Sequence, residues 1–295
     1  MTIKHLVISG GGPLGLRYLG VLEHLEKEHF WNFNNIESIY GTSIGSVIGA
    51  FICLKYDWET LNKYIIERPW HDAFKVSAKQ IFDSYYNKGL FDKKLAEIIF
   101  KPLLEAKDLS LNITLKEFYE YSNIDLHIFT FELNTFKTVE LSHTSFPDLS
   151  LIHAITMSSS LPGIFIPTII DKCCYIDGGV LCNYPINECL RDHDNKDEIL
   201  GVKLAYENEE QRNIEVTTES SVLEYIICMT INSMNYIRNT IKLETIDNTV
   251  KCYINNNPLT LSMFQEAITN RELRREWIRL GEDDATAFLQ LKNSV

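Results

Sequence analysis

The chain has 295 residues, 45% of them hydrophobic and 23% charged, and its 40 acidic against 28 basic side chains give a formal net charge of −12. That excess of negative charge argues against nucleic-acid binding and against electrostatic attraction to anionic lipid, so any transient membrane-surface contact has to be mainly apolar. No stretch approaches the roughly 20 consecutive apolar residues of a membrane span, and the composition is that of a soluble globular chain with one core.

The first residues, MTIKHLVISG, run straight into a strand pattern without the basic start and cleavage site of a secretory signal, so a cytoplasmic or other intracellular setting is expected. Export by a route that uses no such signal stays open. The seven cysteines show no CxxC spacing, which predicts free thiols; Cys173 and Cys174 have no matching ligand pair, so no metal is expected.

Residues 5–9 predict a buried strand. Gly10, Gly12 and Gly15 then fit GxGxxG, and residues 14–28 read as a helix with Leu16, Leu19, Leu22 and Leu25 on one face. A second strand is predicted at 36–41, followed by a helix at 44–55 that is apolar almost all round and therefore belongs at the centre of the fold. Residues 57–125 alternate helical stretches with polar breaks, one amphipathic helix starting near Asp92. Strands at 125–133 and 137–142 are joined by a turn near Asn134, and a short helix from Ala154 to Ser159 stops at Pro162. CYIDGG ends a strand at Asp177, and 198–204 forms another. Beyond about Glu207 the pattern is mostly helical, with a capping box expected at Ser262 and Gln265 and a linker at Asn255 to Pro258.

Gly41, Thr42, Ser43, Ile44 and Gly45 spell GxSxG between a predicted strand and the central apolar helix. A serine projected from such a turn is a candidate nucleophile. The flanking glycines remove Cβ atoms that would clash, and free N–H groups at the helix start favour developing negative charge. A serine hydroxyl needs a base, yet His143 and His153 carry no motif and no histidine follows His193. On its own, the glycine loop could equally cradle a phosphate or hold the oxyanion of a reacting ester.

Four blocks occur in order: GGGPLG (10–15), GTSIG (41–45), SSSLPGIFIP (158–167) and DGGVLCNYP (177–185). Together they resemble the patatin-like phospholipase family over roughly residues 3–205. The resemblance implies an α/β fold, a mainly parallel central sheet flanked by helices, with residues 3–205 as catalytic core and 206–295 as a mostly helical region packed on the same domain. It also implies a catalytic dyad of Ser43 and Asp177, with an oxyanion hole at Gly10, Gly11 and Gly12 and an elbow at Gly41 and Gly45. Gly15, Gly178, Gly179, Asn183 and Pro185 support the motifs, and no cofactor or metal is needed. The family often carries a basic residue before the last loop glycine; here Leu14 stands there, and Arg17 is the candidate replacement for a head-group contact.

The expected function is a lipid acyl hydrolase of phospholipase A type acting on a lipid substrate. The same dyad would serve a lysophospholipase, an acylglycerol hydrolase or another carboxylic esterase. A dinucleotide-dependent oxidoreductase is disfavoured because the second strand ends in Gly41, Thr42 and Ser43 rather than in the acidic residue that binds a ribose. A non-catalytic lipid- or partner-binding protein is the remaining alternative, and an activating protein partner is left open.

Overall fold

The structure is a computed structural model and describes residues 2–72, 78–206, 213–255 and 260–294. HLVI forms β1 (His5–Ile8), and Gly12–Gly15 with Pro13 close a tight 3-10 turn, so the first helix, α1 (Leu16–Lys27), starts two residues later than its leucine spacing predicts. Next come β2 (Ser38–Thr42) and α2 (Ile44–Cys53), whose Ile48, Ala50, Phe51, Ile52 and Cys53 are buried as the all-round apolar pattern demands. The polar-interrupted stretch forms α3 (Trp58–Glu67), α4 (Ala78–Asn87), α5 (Lys94–Glu105) and α6 (Leu115–Ser122). The antiparallel pair β3 (Asp125–Glu132) and β4 (Lys137–Leu141) follows. Then come α7 (Leu151–Ser158), β5 (Thr168–Ile170), β6 (Cys173–Asp177), α8 (Ile186–Asp192) and β7 (Ile199–Tyr206).

The last third holds α9 (Val222–Thr240), β8 (Thr249–Ile254), α10 (Leu261–Thr269) and α11 (Arg271–Asn293). It is not only helical: β8 pairs in parallel with β7 and extends the sheet, with Val250, Cys252 and Ile254 inward at strand period. The cap of α10 is Thr260, whose hydroxyl accepts from the Met263 N–H, rather than Ser262. Asn270 then breaks the helical stretch and caps α11 by accepting from the Glu272 and Leu273 N–H groups. Apart from Asn255, the expected linker lies outside the described residues.

The strand order is β5-β6-β3-β2-β1-β7-β8, with β4 on the other edge of β3. The run β3-β2-β1-β7-β8 is parallel, and β4, β5 and β6 are antiparallel. Strand alternation divides the core between two faces. Leu6, Ile8 and Ile39 pack with α1, α2 and α11, while Val7, Tyr40 and Phe129 pack with Ile186 and Cys189 of α8. α1 and α11 cross in near-contact of their backbones: a Cβ on Gly20 would lie 1.8 Å from the Ile278 carbonyl oxygen, and one on Gly281 1.9 Å from that of Arg17. All seven cysteines are free. No helix among the described residues is long and apolar enough to cross a membrane.

On the α8 side, His127, Glu140 and Asp192 stand close enough to hold a cation, but the imidazole is already committed. Its Nδ1 lies 2.7 Å from Glu140 Oε1, its Nε2 3.2 Å from Asp125 Oδ2, and its ring stacks on Tyr40. Burial opposes the charge, but hydrogen bonds and ion pairs to Asp125 and Glu140 outweigh it and raise the His127 pKa to about 9. A histidine raised in the fold stabilises fully below its unfolded pKa of 6.5, and that contribution fades as pH climbs through about 9. Urea unfolding of the wild type should therefore lose on the order of 2 kcal/mol of this contribution between those limits. His127→Gln should flatten that alkaline slope; an unchanged slope would place the pH dependence elsewhere.

Candidate active site

Three strands bring the site together. β2 runs parallel to β3 and ends with Thr42 opposite Phe129; β6 runs antiparallel to β3 and ends with Asp177 opposite Thr130. Because β4 occupies the other edge of β3 from Ile128 to Glu132, β2 and β6 share one edge and terminate facing each other on adjacent residues of the same strand. Ser43 is the residue after Thr42. Backbone ladders alone thus deliver a hydroxyl and a carboxylate to one point.

Ser43 has φ 54° and ψ −123°, a left-handed conformation that costs a residue with a Cβ on the order of 1–3 kcal/mol. The elbow is held in place by close packing. A Cβ on Gly45 would meet the Ile8 carbonyl oxygen at 2.2 Å, and one on Gly41 the Gly45 backbone at 2.7 Å. The Ser43 N–H donates to Ser158 Oγ at 2.8 Å, and that hydroxyl donates to the Phe129 carbonyl oxygen at 2.6 Å. The serine block thus supports the elbow from the end of α7, a role its pattern as a simple helix end does not reveal.

The Ser43 side chain stands beside Asp177, which is buried. Asp177 Oδ1 accepts from the Gly179 N–H at 2.7 Å, and its own N–H donates to the Ser160 carbonyl oxygen. Burial pushes the carboxyl pKa above its ordinary value; the nearby Ser43 hydroxyl, the Gly179 N–H and the Arg238 charge oppose that shift without cancelling it. A carboxylate so placed accepts a proton more readily than an exposed one.

The glycine loop lies against Ser43: a Cβ on Gly10 would stand 3.4 Å from the Ser43 Cβ, and one on Gly15 would overlap Ile44. The Gly10 N–H is engaged, donating to the Asn183 carbonyl oxygen at 2.9 Å, which ties the loop to the segment before Pro185 and α8. The Gly11 and Gly12 N–H groups meet no acceptor among the described residues. A Cβ on Gly178 would lie 2.1 Å from the Phe129 carbonyl oxygen, so the turn after Asp177 also sits directly on β3. Arg17 does not replace the missing loop cation. It is buried against α11, paired to Asp284 at 2.6 Å and donating to the Tyr253 carbonyl oxygen.

Ser43 and Asp177 both line a cavity of about 230 Å³ whose walls are almost wholly apolar, among them Val47 and Phe51 of α2, Ile99 of α5 and Phe264 of α10. Arg274 of α11 also lines it. That guanidinium is buried and donates to five main-chain oxygens, those of Ile65, Ile66 and Arg68 at the end of α3 and of Ala267 and Ile268 near the end of α10. Its charge is met by two helix carboxyl ends, and it pins two cavity walls together.

The arrangement has counterparts. The family model described as Patatin-like phospholipase matches residues 6–190. An uncharacterised protein of Acanthamoeba polyphaga mimivirus is 29% identical over 86% of this chain and 84% of its own length. A protein named probable lipid hydrolase in Invertebrate iridescent virus 6 is 28% identical over 66% of each chain. The structure of VipD from Legionella pneumophila aligns with a TM-score of 0.56 at 15% identity, covering 98% of this chain and 67% of that one, which shows a shared fold. This chain belongs to the patatin-like phospholipase family, and with it to the enzymes that hydrolyse lipid acyl esters.

Proposed function

We propose that the protein is a phospholipase of A type in which Ser43 is the nucleophile and Asp177 its base. The observation that carries this reading is a serine on a strained elbow beside a buried carboxylate of raised pKa, both at the wall of one apolar cavity. Asp177 takes the Ser43 proton as Ser43 Oγ attacks the ester carbonyl carbon. The oxygen then carries negative charge, which the Gly11 and Gly12 N–H groups and the start of α2 stabilise in this reading, an effect worth about 3 kcal/mol per well-aimed donor. Collapse returns the proton to the departing alcohol and leaves the acyl chain on Ser43. Asp177 next deprotonates a water that attacks the acyl-enzyme and releases the fatty acid.

The apolar cavity is the seat of the acyl chain. A lysophospholipase reading draws support from 25% identity to the lysophospholipase NTE1 of Candida albicans, over 62% of this chain and 12% of that protein. The same dyad serves both.

Fatty-acid release from phosphatidylcholine vesicles, from lysophosphatidylcholine and from monoacylglycerol at matched concentration tests the reading. Release from the diacyl lipid is expected, and silence across all three would overturn it. Ala96 lines the cavity from α5. Ala96→Phe should lower kcat/KM for a sixteen-carbon ester relative to an eight-carbon one by about tenfold. An unchanged chain-length profile would place the acyl chain elsewhere.

A further inference from the structure

The peptide that joins Gly10 to Gly11 is held from the α1 side by a buried chain of hydroxyl groups. Tyr18, in the first turn of α1, is fully buried, and its Oη accepts from the Leu204 N–H of β7 at 3.1 Å. The same oxygen lies 2.7 Å from Ser9 Oγ, which is also buried. Both hydroxyls reach the Gly10 carbonyl oxygen, Ser9 Oγ at 3.0 Å and Tyr18 Oη at 3.3 Å, and the Asn183 side-chain amide adds a longer bond at 3.4 Å. Two hydroxyls so close share one proton between them, so the other proton is left for the carbonyl whichever way the shared one lies. Burial pushes the Tyr18 phenol pKa well above its ordinary value, which keeps the hydroxyl protonated in neutral solution.

Gly11 is shaped to this contact: a Cβ there would stand 2.8 Å from Tyr18 Oη and 2.9 Å from Leu204 Cδ1, so only a residue without one lets the phenol reach the loop. A peptide is planar and trans, and its C=O and N–H therefore point in opposite directions. The Gly10 carbonyl, fixed toward Ser9 and Tyr18, turns the Gly11 N–H away from them, and that N–H meets no acceptor among the described residues. Hydrogen bonds received by the carbonyl also polarise the peptide and strengthen its N–H as a donor. Neither Ser9 nor Tyr18 belongs to any of the four motif blocks.

We propose that Tyr18 and Ser9 are positioning residues that set the Gly10–Gly11 peptide so that the Gly11 N–H is presented to the anionic oxygen of the reaction. The inference rests on the hydrolase reading above and adds to it the side chains that aim an oxyanion donor. Neither side chain touches substrate; each acts through the peptide. Holding an acyl chain in the apolar cavity does not call on that N–H, whereas the tetrahedral intermediate does, so the two hydroxyls serve the reaction step rather than substrate binding.

Tyr18→Phe keeps the ring and removes the hydroxyl, and Ser9→Ala opens the chain from its other end should the phenol be needed for folding. Each folded variant is expected to lower kcat on the order of tenfold with KM changed by less than about twofold. Affinity for a trifluoromethyl ketone bearing the same acyl chain should fall by a similar factor, because Ser43 Oγ adds to its carbonyl carbon, the proton passes to Asp177 and the ketone oxygen becomes the anion. Affinity for an ether-linked lipid without a carbonyl should stay the same. Equal weakening toward ketone and ether would mark a merely structural role and overturn the proposal, as would an unchanged kcat in both variants. The NMR correlation of the Gly11 N–H with the Gly10 carbonyl carbon reports the hydrogen bonds of that carbonyl without turnover. That carbon resonance should move in both variants, and its staying in place overturns the proposal. A wild type that hydrolyses no ester refutes the hydrolase reading, and the carbonyl shift then decides the positioning of the peptide on its own.

Discussion

Asp177→Asn is expected to abolish acyl-ester hydrolysis, by at least about a thousandfold, while the melting temperature at neutral pH stays equal or rises. Asparagine keeps the shape and retains an oxygen able to accept the Gly179 N–H, so the turn it caps is preserved. What disappears is the carboxylate that stands beside the Ser43 hydroxyl. Stability moves the other way because burial raises the Asp177 pKa. For an acid raised in the fold, the folded state holds the proton longer, so stability falls as pH climbs from the unfolded value of 3.8 through the folded one and stays reduced above it. The neutral amide removes that cost, and the difference between variant and wild type should close as the medium is acidified toward 3.8. Paired rate measurements and thermal melts across pH decide the matter. Near-normal turnover would remove Asp177 from the mechanism, and an inactive variant with a sharply lowered melting temperature would make its role structural. The same shift sets the acid limb of the wild-type rate profile above the ordinary aspartate range.

Ser43→Gly should be equally inactive and more stable than Ser43→Ala by about 1 kcal/mol, reversing the usual penalty for glycine. Both substitutions remove the hydroxyl beside Asp177, so neither forms an acyl-enzyme. They differ in backbone: alanine keeps the Cβ that makes φ 54° unfavourable, and glycine releases it. Chemical denaturation of the two variants isolates this term, since their lost side-chain contacts are nearly the same. Alanine equal to or better than glycine would mean that the elbow carries no strain. Fatty-acid release by either variant at the wild-type rate would remove Ser43 from the chemistry.

Residues whose chemistry is local are legible in the amino-acid sequence alone. GTSIG announces its own elbow, because glycines two positions either side of a serine answer a steric demand within one turn. The central helix is readable from its lack of charge, and the sheet from apolar runs bounded by turns. What the sequence conceals depends on partners distant along the chain. Ser158 looks like a helix end until β3 sets the Phe129 carbonyl beside it. Arg238 looks like an ordinary late-helix cation, and only packing of α9 on the Gly178–Gly179 turn brings it next to Asp177. Gly10 has the loop position of an oxyanion donor, yet its N–H is engaged by Asn183, far away in sequence. β8 carries a period-two signal in Val250, Cys252 and Ile254, but Lys251 and the helical segments on either side hide it.

The near-contact of Gly20 with Ile278 and of Gly281 with Arg17 has a bearing on how the enzyme is made. α1, which continues directly from the glycine loop, finds its closest helical neighbour in a segment synthesised almost a whole chain later. A nascent chain that has already emitted Ser43 and Asp177 still lacks the support on which that first helix rests, and contacts of such long sequence separation form late. Synthesis order thus sets a delay: the proposed dyad is spelled out early, and the support of α1 closes only once α11 has been made.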